Sequence, residues 1–427
     1  MSVVLAGGIV ARSLLGPVEA ADVVVSDGRI GGDPSLGETV DVSGCVVIPG
    51  NVCAHHHLYS SLARGMPGPP VSPTSFVEIL ERVWWRLDRA LMLETVRLSA
   101  LVGAVEAARS GTTTIVDHHS SPEAIDSSLD AVADGIEEAG VRAVVCYEVS
   151  DRHGRARAAR GIAENARFLA RNRRPLVRAM MGAHASFTVG PDTLEGVVAG
   201  ARDAGAPVHI HLAEDAYDER HCLDTYGTRV AERLHAAGAL GEGDLVAHGV
   251  CLDRAEISTL RSSGAWLAHN PRSNMNNGVG YAPISRMGER VALGTDGVDG
   301  DMFAEARACY LKAREQSSDA GSAVAAERLA SGAALAGSRF GEPLLGTLGP
   351  QAPADLVVLD YDSPTPLDSS NLAGHLLFGI GAGSVRDVMV GGRWIVRGRR
   401  HQLVDEEALA ARCRGAAPAL WARMQRF

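Results

Sequence analysis

The run His55-His56-His57 holds the most concentrated chemistry in the chain. It closes an apolar stretch, Cys45-Val46-Val47-Ile48-Pro49-Gly50-Asn51-Val52-Cys53-Ala54, that reads as a buried strand. Alternate residues of a strand share a face, so His55 and His57 aim two imidazoles at one point while His56 turns away. Two convergent imidazoles at a strand end suit a divalent ion such as zinc or iron. Three consecutive histidines also fit a solvated loop. What lies downstream decides between the two readings.

From about residue 45 to 300, short β-like runs alternate with helical stretches rich in Ala, Leu and Arg. The expected strands are 45–54, 112–118, 142–149, 176–184, 206–212, 244–248, 265–269 and 290–296, with helices over segments such as 94–110, 121–140 and 192–204. Eight such alternations imply an α/β fold, a parallel (β/α)8 barrel of the TIM type. Loops that follow the strands of such a barrel converge at one face and build the site there. His55 and His57 end the first strand, and His118 and His119 end the second. His184 ends the fourth, His211 the fifth with Glu214 just beyond, His248 the sixth, His269 the seventh and Asp296 the eighth. So many of the 15 histidines at equivalent points mark a metal-dependent site.

The two ends of the chain read differently. Residues 1–50 and 345–427 carry short β-like pieces separated by Gly and Asp, and are expected to form a small composite β-sandwich with a terminal helix over 404–427. Residues 51–344 are left for the barrel. Gly7-Gly8 interrupts the first apolar run and no basic segment leads it, so it reads as a strand and turn rather than a secretion leader.

Composition narrows the function classes. An apolar content of 46% in 427 residues supports a large core. A net charge of −10 argues against a nucleic-acid polymer or an anionic membrane as partner, and leaves a small nucleobase-like substrate open. No run reaches the roughly 18 apolar residues that a membrane span needs. Seven scattered cysteines without a CxxC pair fit a reduced, cytoplasmic protein. The basic clusters at 152–161 and 171–174 read as solvated faces.

The pieces Ala54-His55-His56-His57-Leu58, His211-Leu212-Ala213-Glu214, Ala247-His248-Gly249, His269-Asn270-Pro271 with Ser273-Asn274-Met275, and Gly294-Thr295-Asp296 together resemble the amidohydrolase superfamily, in its mononuclear aminohydrolase and chlorohydrolase branch. The resemblance covers nearly the whole chain. Within the branch, Trp84-Trp85-Arg86-Leu87-Asp88-Arg89-Ala90 and Asp117-His118-His119-Ser120-Ser121-Pro122 are most similar to the aminohydrolase subfamily called SsnA. The resemblance implies one divalent metal ion per chain, zinc first and iron second, held by His55, His57, His211 and Asp296. It also implies Glu214 as the proton-shuttling acid and base, and His248 as the group that polarises near the metal-bound water. Such a metal lowers the pKa of its water towards neutrality. The resulting hydroxide attacks an amidine-type carbon of a purine-like aminoheterocycle, Asp296 passes a proton to the leaving amine, and ammonia departs. Ring opening or dechlorination of a similar heterocycle is the enzymatic alternative, and a non-catalytic barrel scaffold the alternative of another class. A homo-oligomer is expected from the same resemblance.

One absence discriminates further. Some branches bridge two metals with a carbamylated lysine after a middle strand, but the only lysine, Lys312, lies beyond the eighth strand. That shifts the expectation from cyclic amides towards amidines.

The supporting residues keep two readings each. His118, His119 and His184 either contact substrate or belong to buried networks. Trp84 and Trp85 either stack on a flat heterocycle or pack a helical lid. Asn274 either shapes the pocket or closes a turn. His209, one layer below His211, reads as a hydrogen-bonded core residue, and Arg64 as one half of a salt bridge.

Overall fold

The computed structural model describes residues 2–317 and 321–427. The expected barrel strands are present in nine pieces: β1 Asn51–His56, β2 Thr112–His119, β3 Arg142–Tyr147, β4 Val177–Ala179, β5 Met181–Ala185, β6 Val208–Leu212, β7 Leu245–His248, β8 Trp266–His269 and β9 Val291–Leu293. They form two parallel sheets, one in the order β1-β2-β3-β4 and the other β5-β6-β7-β8-β9. Nearly every residue in them is buried, and Ala54, Val116 and Val144 of one sheet share a core with Leu245, Ala247 and Ala292 of the other. Single parallel bridges link the sheets at both ends, Val149 with Ala183 and His56 with Asp296.

Two of these strands differ from the sequence reading for one physical reason, a change of hydrogen-bond partner inside an apolar run. The fourth strand is cut at Met180, whose N–H donates to Val145 O at 3.0 Å while that of Met181 donates to Pro207 O at 2.9 Å. The stretch 45–54 is likewise two strands. Gly50 N–H donates to Asp355 O at 3.0 Å, and the next residue, Asn51, donates to Gly111 O at 3.0 Å. Cys45–Pro49 therefore belongs to a different sheet, and only Asn51–His56 joins the parallel set. The helix expected over 121–140 also starts later, spanning Ser128–Ala139.

Cys45–Pro49 lies in a nine-stranded sheet drawn from both ends of the chain. Its order is Arg400–His401, Arg393–Arg397, Val385–Val390, Leu356–Asp360, Cys45–Pro49, Ser2–Ala11, Val18–Ser26 and Arg29–Ile30, with Glu38–Asp41 added on Ser2–Ala11. Its strands are joined continuously by hydrogen bonds. Their side chains alternate with period two. Cys45, Val47, Leu356 and Val358 enter a local core with Val3, Leu5, Val10 and Val25. Val46, Ile48, Val357 and Leu359 enter the main core with the helices around the parallel strands.

A terminal helix, Glu406–Met424, packs against Trp85–Ala90 and against Leu93–Arg109. Trp421 Nε1–H donates to Leu62 O at 2.9 Å, and Arg89 stacks over Phe427 at 4.0 Å. The chain's end thus supports the segment that follows β1. Among the described residues, no helix is long and apolar enough to cross a membrane.

The sheet-to-sheet step at Gly50 has no room for a side chain, since an added Cβ would lie 2.1 Å from Thr113 Oγ1. Gly50→Val is expected to cost about 1–3 kcal/mol through overpacking. Chemical denaturation checks it by the fall in midpoint.

Candidate active site

Three strand ends of the parallel sheets leave by an uncommon backbone turn. Ala213, His248 and Asp296 adopt left-handed φ values of 46°, 76° and 53°. Side chains other than glycine pay strain in that region, and such residues cluster where function fixes the geometry. The turn at Ala213 lets Glu214 come back beside His211 although the two are three residues apart. The turn at Asp296 brings its carboxylate under β1.

The donors meet there. His57 Nε2 is 3.0 Å from Asp296 Oδ1, and His55 Nε2 is 3.5 Å from the same oxygen. His57 Nε2 and His211 Nε2 are 3.3 Å apart. Donor atoms of His55, His211, His248 and Asp296 lie within 4.8 Å of one another, and all four residues are buried. His56 turns away, its Nδ1 bonded to the Asp296 backbone oxygen. The two-residue periodicity of the strand thus works as expected through the end of β1.

Each converging ring is tied at its outer nitrogen. His57 Nδ1 meets His118 O, His211 Nδ1 meets His184 O at 2.8 Å, and His55 Nδ1 meets His209 Nε2 at 2.9 Å. Ser273 Oγ–H donates to Asp296 Oδ2. His55 Nε2 is fully buried with no hydrogen-bond partner in the protein. An orphaned imidazole nitrogen facing two more imidazoles and a carboxylate is the donor set that a divalent metal fills.

Glu214 sits beside this cluster. Its Oε2 is 3.5 Å from His248 Nε2, and it accepts a hydrogen bond from Asn277 Nδ2 at 3.3 Å. Burial and then the nearby Asp296 charge push its carboxyl well above the usual range. Burial opposes ionisation of Asp296 too, but His55 and His57 outweigh it and hold that carboxyl well below. Two carboxyls with opposite shifts are suited to acid and base roles at one centre.

A narrow cavity of about 30 Å³ opens on the cluster. Its walls include His57, His211, Glu214 and Asp296, with Tyr59, Phe76, Leu80, Trp84 and Trp85 above and His184 at the side. Trp84 presses on Gly297, where an added Cβ would lie 2.4 Å from the indole. Three residues that the sequence left with two readings lie outside this cavity wall. His118 is wholly buried, with Nδ1 3.4 Å from Glu148 Oε2. His119 Nε2 pairs with Ser121 Oγ at 2.9 Å. Asn274 Oδ1 meets His248 Nδ1 at 2.9 Å and so orients that imidazole. All three are absent from the cavity wall because their side chains are committed to packing or bonding one layer behind it.

Residues 46–395 match the model of the amidohydrolase family. The chain belongs to that family. It is 32% identical over 410 residues to a 5-methylthioadenosine/S-adenosylhomocysteine deaminase of Natronomonas pharaonis, covering 92% of each chain. A 5'-deoxyadenosine deaminase of Methanosarcina mazei is 29% identical, with 96% of this chain and 95% of that one covered. Among solved structures, a zinc-bound adenosine deaminase from Xanthomonas campestris superposes with a TM-score of 0.84 at 24% identity, covering 100% of this chain and 99% of the other.

This amidohydrolase also carries a polar group at its cavity that the histidine pattern did not reveal. Glu148 and Asp88 line the wall and are joined by Arg152, whose guanidinium is 3.0 Å from Glu148 Oε1 and 3.1 Å from Asp88 Oδ2. Arg152 also stacks on Trp85 at 4.9 Å. It lies in the 152–161 basic cluster expected to be solvated, yet its side chain is only 7% exposed. Arg155, three residues on, is exposed as expected. Glu148 directly follows β3, so extending the strand-end rule from histidines to acids would have found it. Elsewhere Arg64 pairs with Glu106 through two contacts of 2.7 Å, as expected.

Removing Arg152 would leave two buried carboxylates uncompensated. Arg152→Met is expected to destabilise the protein by about 3–5 kcal/mol, as for other buried pairs broken on one side. A denaturation midpoint close to that of the wild type would show that the cluster relaxes into solvent.

Proposed function

We propose that this amidohydrolase is a metal-dependent deaminase that hydrolyses the amidine carbon of a purine-like aminoheterocycle and releases ammonia. One observation carries the reading. The Glu214 carboxyl, 3.5 Å from His248, shares a narrow cavity with the donor set His57, His211 and Asp296. Relatives named as deaminases of 5-methylthioadenosine, S-adenosylhomocysteine and 5'-deoxyadenosine make an adenine-type ring the first substrate to test.

In this reading His55, His57, His211 and Asp296 hold one divalent ion, with zinc ahead of iron for a set of imidazoles and a carboxylate. An ion bound there supplies the Lewis acidity that makes water a nucleophile near neutral pH. Glu214 moves a proton from the attacking water to the ring nitrogen of the amidine. Asp296, steadied by Ser273, passes the second proton to the exocyclic amine, which leaves as ammonia while the carbon becomes a carbonyl. His248, held by Asn274, polarises the same carbon's new oxygen. Trp84, Trp85, Phe76 and Leu80 supply flat apolar walls for a heterocycle, and His184 a polar edge. At about 30 Å³ the cavity is smaller than such a ring, so the segment Phe76–Ala90 moves outward to admit it.

The wider architecture belongs to the same reading. The two bridged parallel sheets are taken as one closed (β/α)8 barrel over residues 51–344, with 1–50 and 345–427 as the second unit. Seven free cysteines support a reducing, cytoplasmic location. A homo-oligomer is retained as the expected state.

Ammonia release from metal-quantified protein, across adenine nucleosides, other aminopurines, pterins, cytosines and triazines, tests the activity. An ultraviolet change without ammonia would replace deamination by ring opening. Two variants separate the roles: His211→Ala is expected to lose metal and activity together, whereas Glu214→Gln keeps metal and loses about 10²–10⁴-fold in kcat. Near-wild-type turnover of Glu214→Gln would remove the proton-shuttle assignment.

Loading the site also has a pH signature. Burial alone would push the His57 imidazole down, but the Asp296 carboxylate against its Nε2 outweighs this and holds its pKa at about 9. At pH 7 the ring carries a proton that it must give up to bind an ion. Zinc titration of the metal-free protein is therefore expected to release this proton into a weak buffer, and apparent affinity to rise with pH up to about 9.

A further inference from the structure

No step above uses His209, yet it lies at the centre of the buried imidazole cluster. It is wholly inaccessible on β6, with ring centroids 4.5 Å from His118 and 5.0 Å from His55. Its Nε2 meets His55 Nδ1 at 2.9 Å, and its Nδ1 meets Cys146 Sγ at 3.6 Å. The Cys146 thiol in turn faces the backbone oxygen of Asp117 at 3.7 Å.

This arrangement sets His55 apart from the other two imidazoles of the donor set. His57 and His211 give their outer N–H to backbone oxygens, which only accept. Once deprotonated for metal binding, their Nε2 lone pairs are thereby fixed towards the centre. His55 faces another neutral imidazole, which donates or accepts according to its own tautomer. Nothing in that pair alone decides which nitrogen of His55 keeps the proton.

The chain beyond it does decide. A backbone oxygen can only accept, so the Cys146 S–H points at Asp117 and turns sulfur lone pairs towards His209. His209 then keeps its proton on Nδ1, facing sulfur, and its lone pair on Nε2, facing His55. That lone pair accepts the His55 Nδ1–H and leaves a bare Nε2 on His55, directed at Asp296. We infer that His209, oriented by Cys146, is a positioning residue that sets the tautomer of His55 and so makes its Nε2 a metal donor. The inference rests on the reading that His55 ligates the ion.

The test is zinc affinity of the full chain, stripped and retitrated against a chromophoric chelator, with melting of the metal-free protein as the folding control. His209→Asn keeps a polar atom towards Cys146 but removes the acceptor for His55. It is expected to weaken zinc binding about 10–100-fold, the usual effect of losing a ligand's outer partner. In His209→Gln the amide oxygen reaches the place of Nε2, so affinity stays within about threefold of wild type. Cys146→Ala keeps the imidazole but frees its tautomer, and is expected to weaken binding several-fold. Equal losses in the Asn and Gln variants, or no loss in His209→Asn, would overturn the relay, and unchanged affinity in Cys146→Ala would remove the thiol from it. Failure of the wild type itself to take up zinc would instead overturn the ligand role of His55, and the relay with it.

Discussion

The arrangement of the site depends on the burial of one carboxylate, that of Asp296. A lone buried charge is expensive, and its cost falls only when donors surround it. His57 and Ser273 do so from two sides. The same residue joins the last parallel strand to the first. Its N–H donates to His55 O at 2.9 Å, and its backbone oxygen receives His57 N–H at 3.3 Å. A left-handed turn at Asp296 is what allows both jobs at once. Electrostatics and chain topology are thus satisfied by one residue, and neither β1 nor β9 can shift without moving the donors.

Around that centre the polar groups are layered. Nearest the cavity are the converging nitrogens and Glu214. Beside Glu214 is His248 Nε2, and behind these stand His118, His209, Asn274 and the backbone oxygens that pin the rings. Histidine suits this second layer because a neutral ring offers one donor and one acceptor on opposite sides, so it can pass orientation along a line of bonds. Burial keeps those rings neutral, holding the imidazoles of His118 and His209 below the usual range. On the far side, Arg152 is shared between Asp88 and Glu148. One end of the cavity is therefore shaped for a metal and a proton, and the other for polar contacts with whatever the ring carries.

Much of this was legible because a parallel fold repeats one geometric rule. Most strand ends point at the same place, so histidines at 55, 57, 184, 211 and 248 and the acid at 296 could be gathered from the sequence. Glu214 was legible from its spacing to His211. What escaped was set by contacts between segments distant in sequence. Pro49-Gly50 marks a break inside the run 45–54, but not which strand each N–H meets on either side of it, since Asp355 and Gly111 supply those partners from far along the chain. Arg152 looked like its exposed neighbours because one of its two acids, Asp88, comes from far along the chain, and Glu148, four residues before it, is itself buried. His119 and His118 satisfied the strand-end rule yet turned behind the wall, where Ser121 and Glu148 receive them.

The segment between β1 and β2 follows a different logic from the strands. Phe76, Leu80, Trp84 and Trp85 roof the cavity from a helical stretch whose turn Leu80–Trp84 is π-helical, a local widening of the helix that often marks functional positions. Widening at that point offsets Trp84 and Trp85 so that both indoles reach the cavity, which regular i to i+1 spacing on a helix would not allow. One indole then rests on Gly297, a single residue beyond Asp296, and the other on Arg152 and towards His184. The roof is therefore coupled mechanically to both ends of the site, to the carboxylate through Gly297 and to the acid pair through Arg152. Because the C-terminal helix braces the same stretch through Arg89 and Phe427, the distant end of the chain contributes to how firmly the cavity is closed. Closure around a buried charge is what gives Glu214 its raised pKa. Water reaching Glu214 would lower that pKa towards the ordinary carboxyl range, in which the group can take a proton from water.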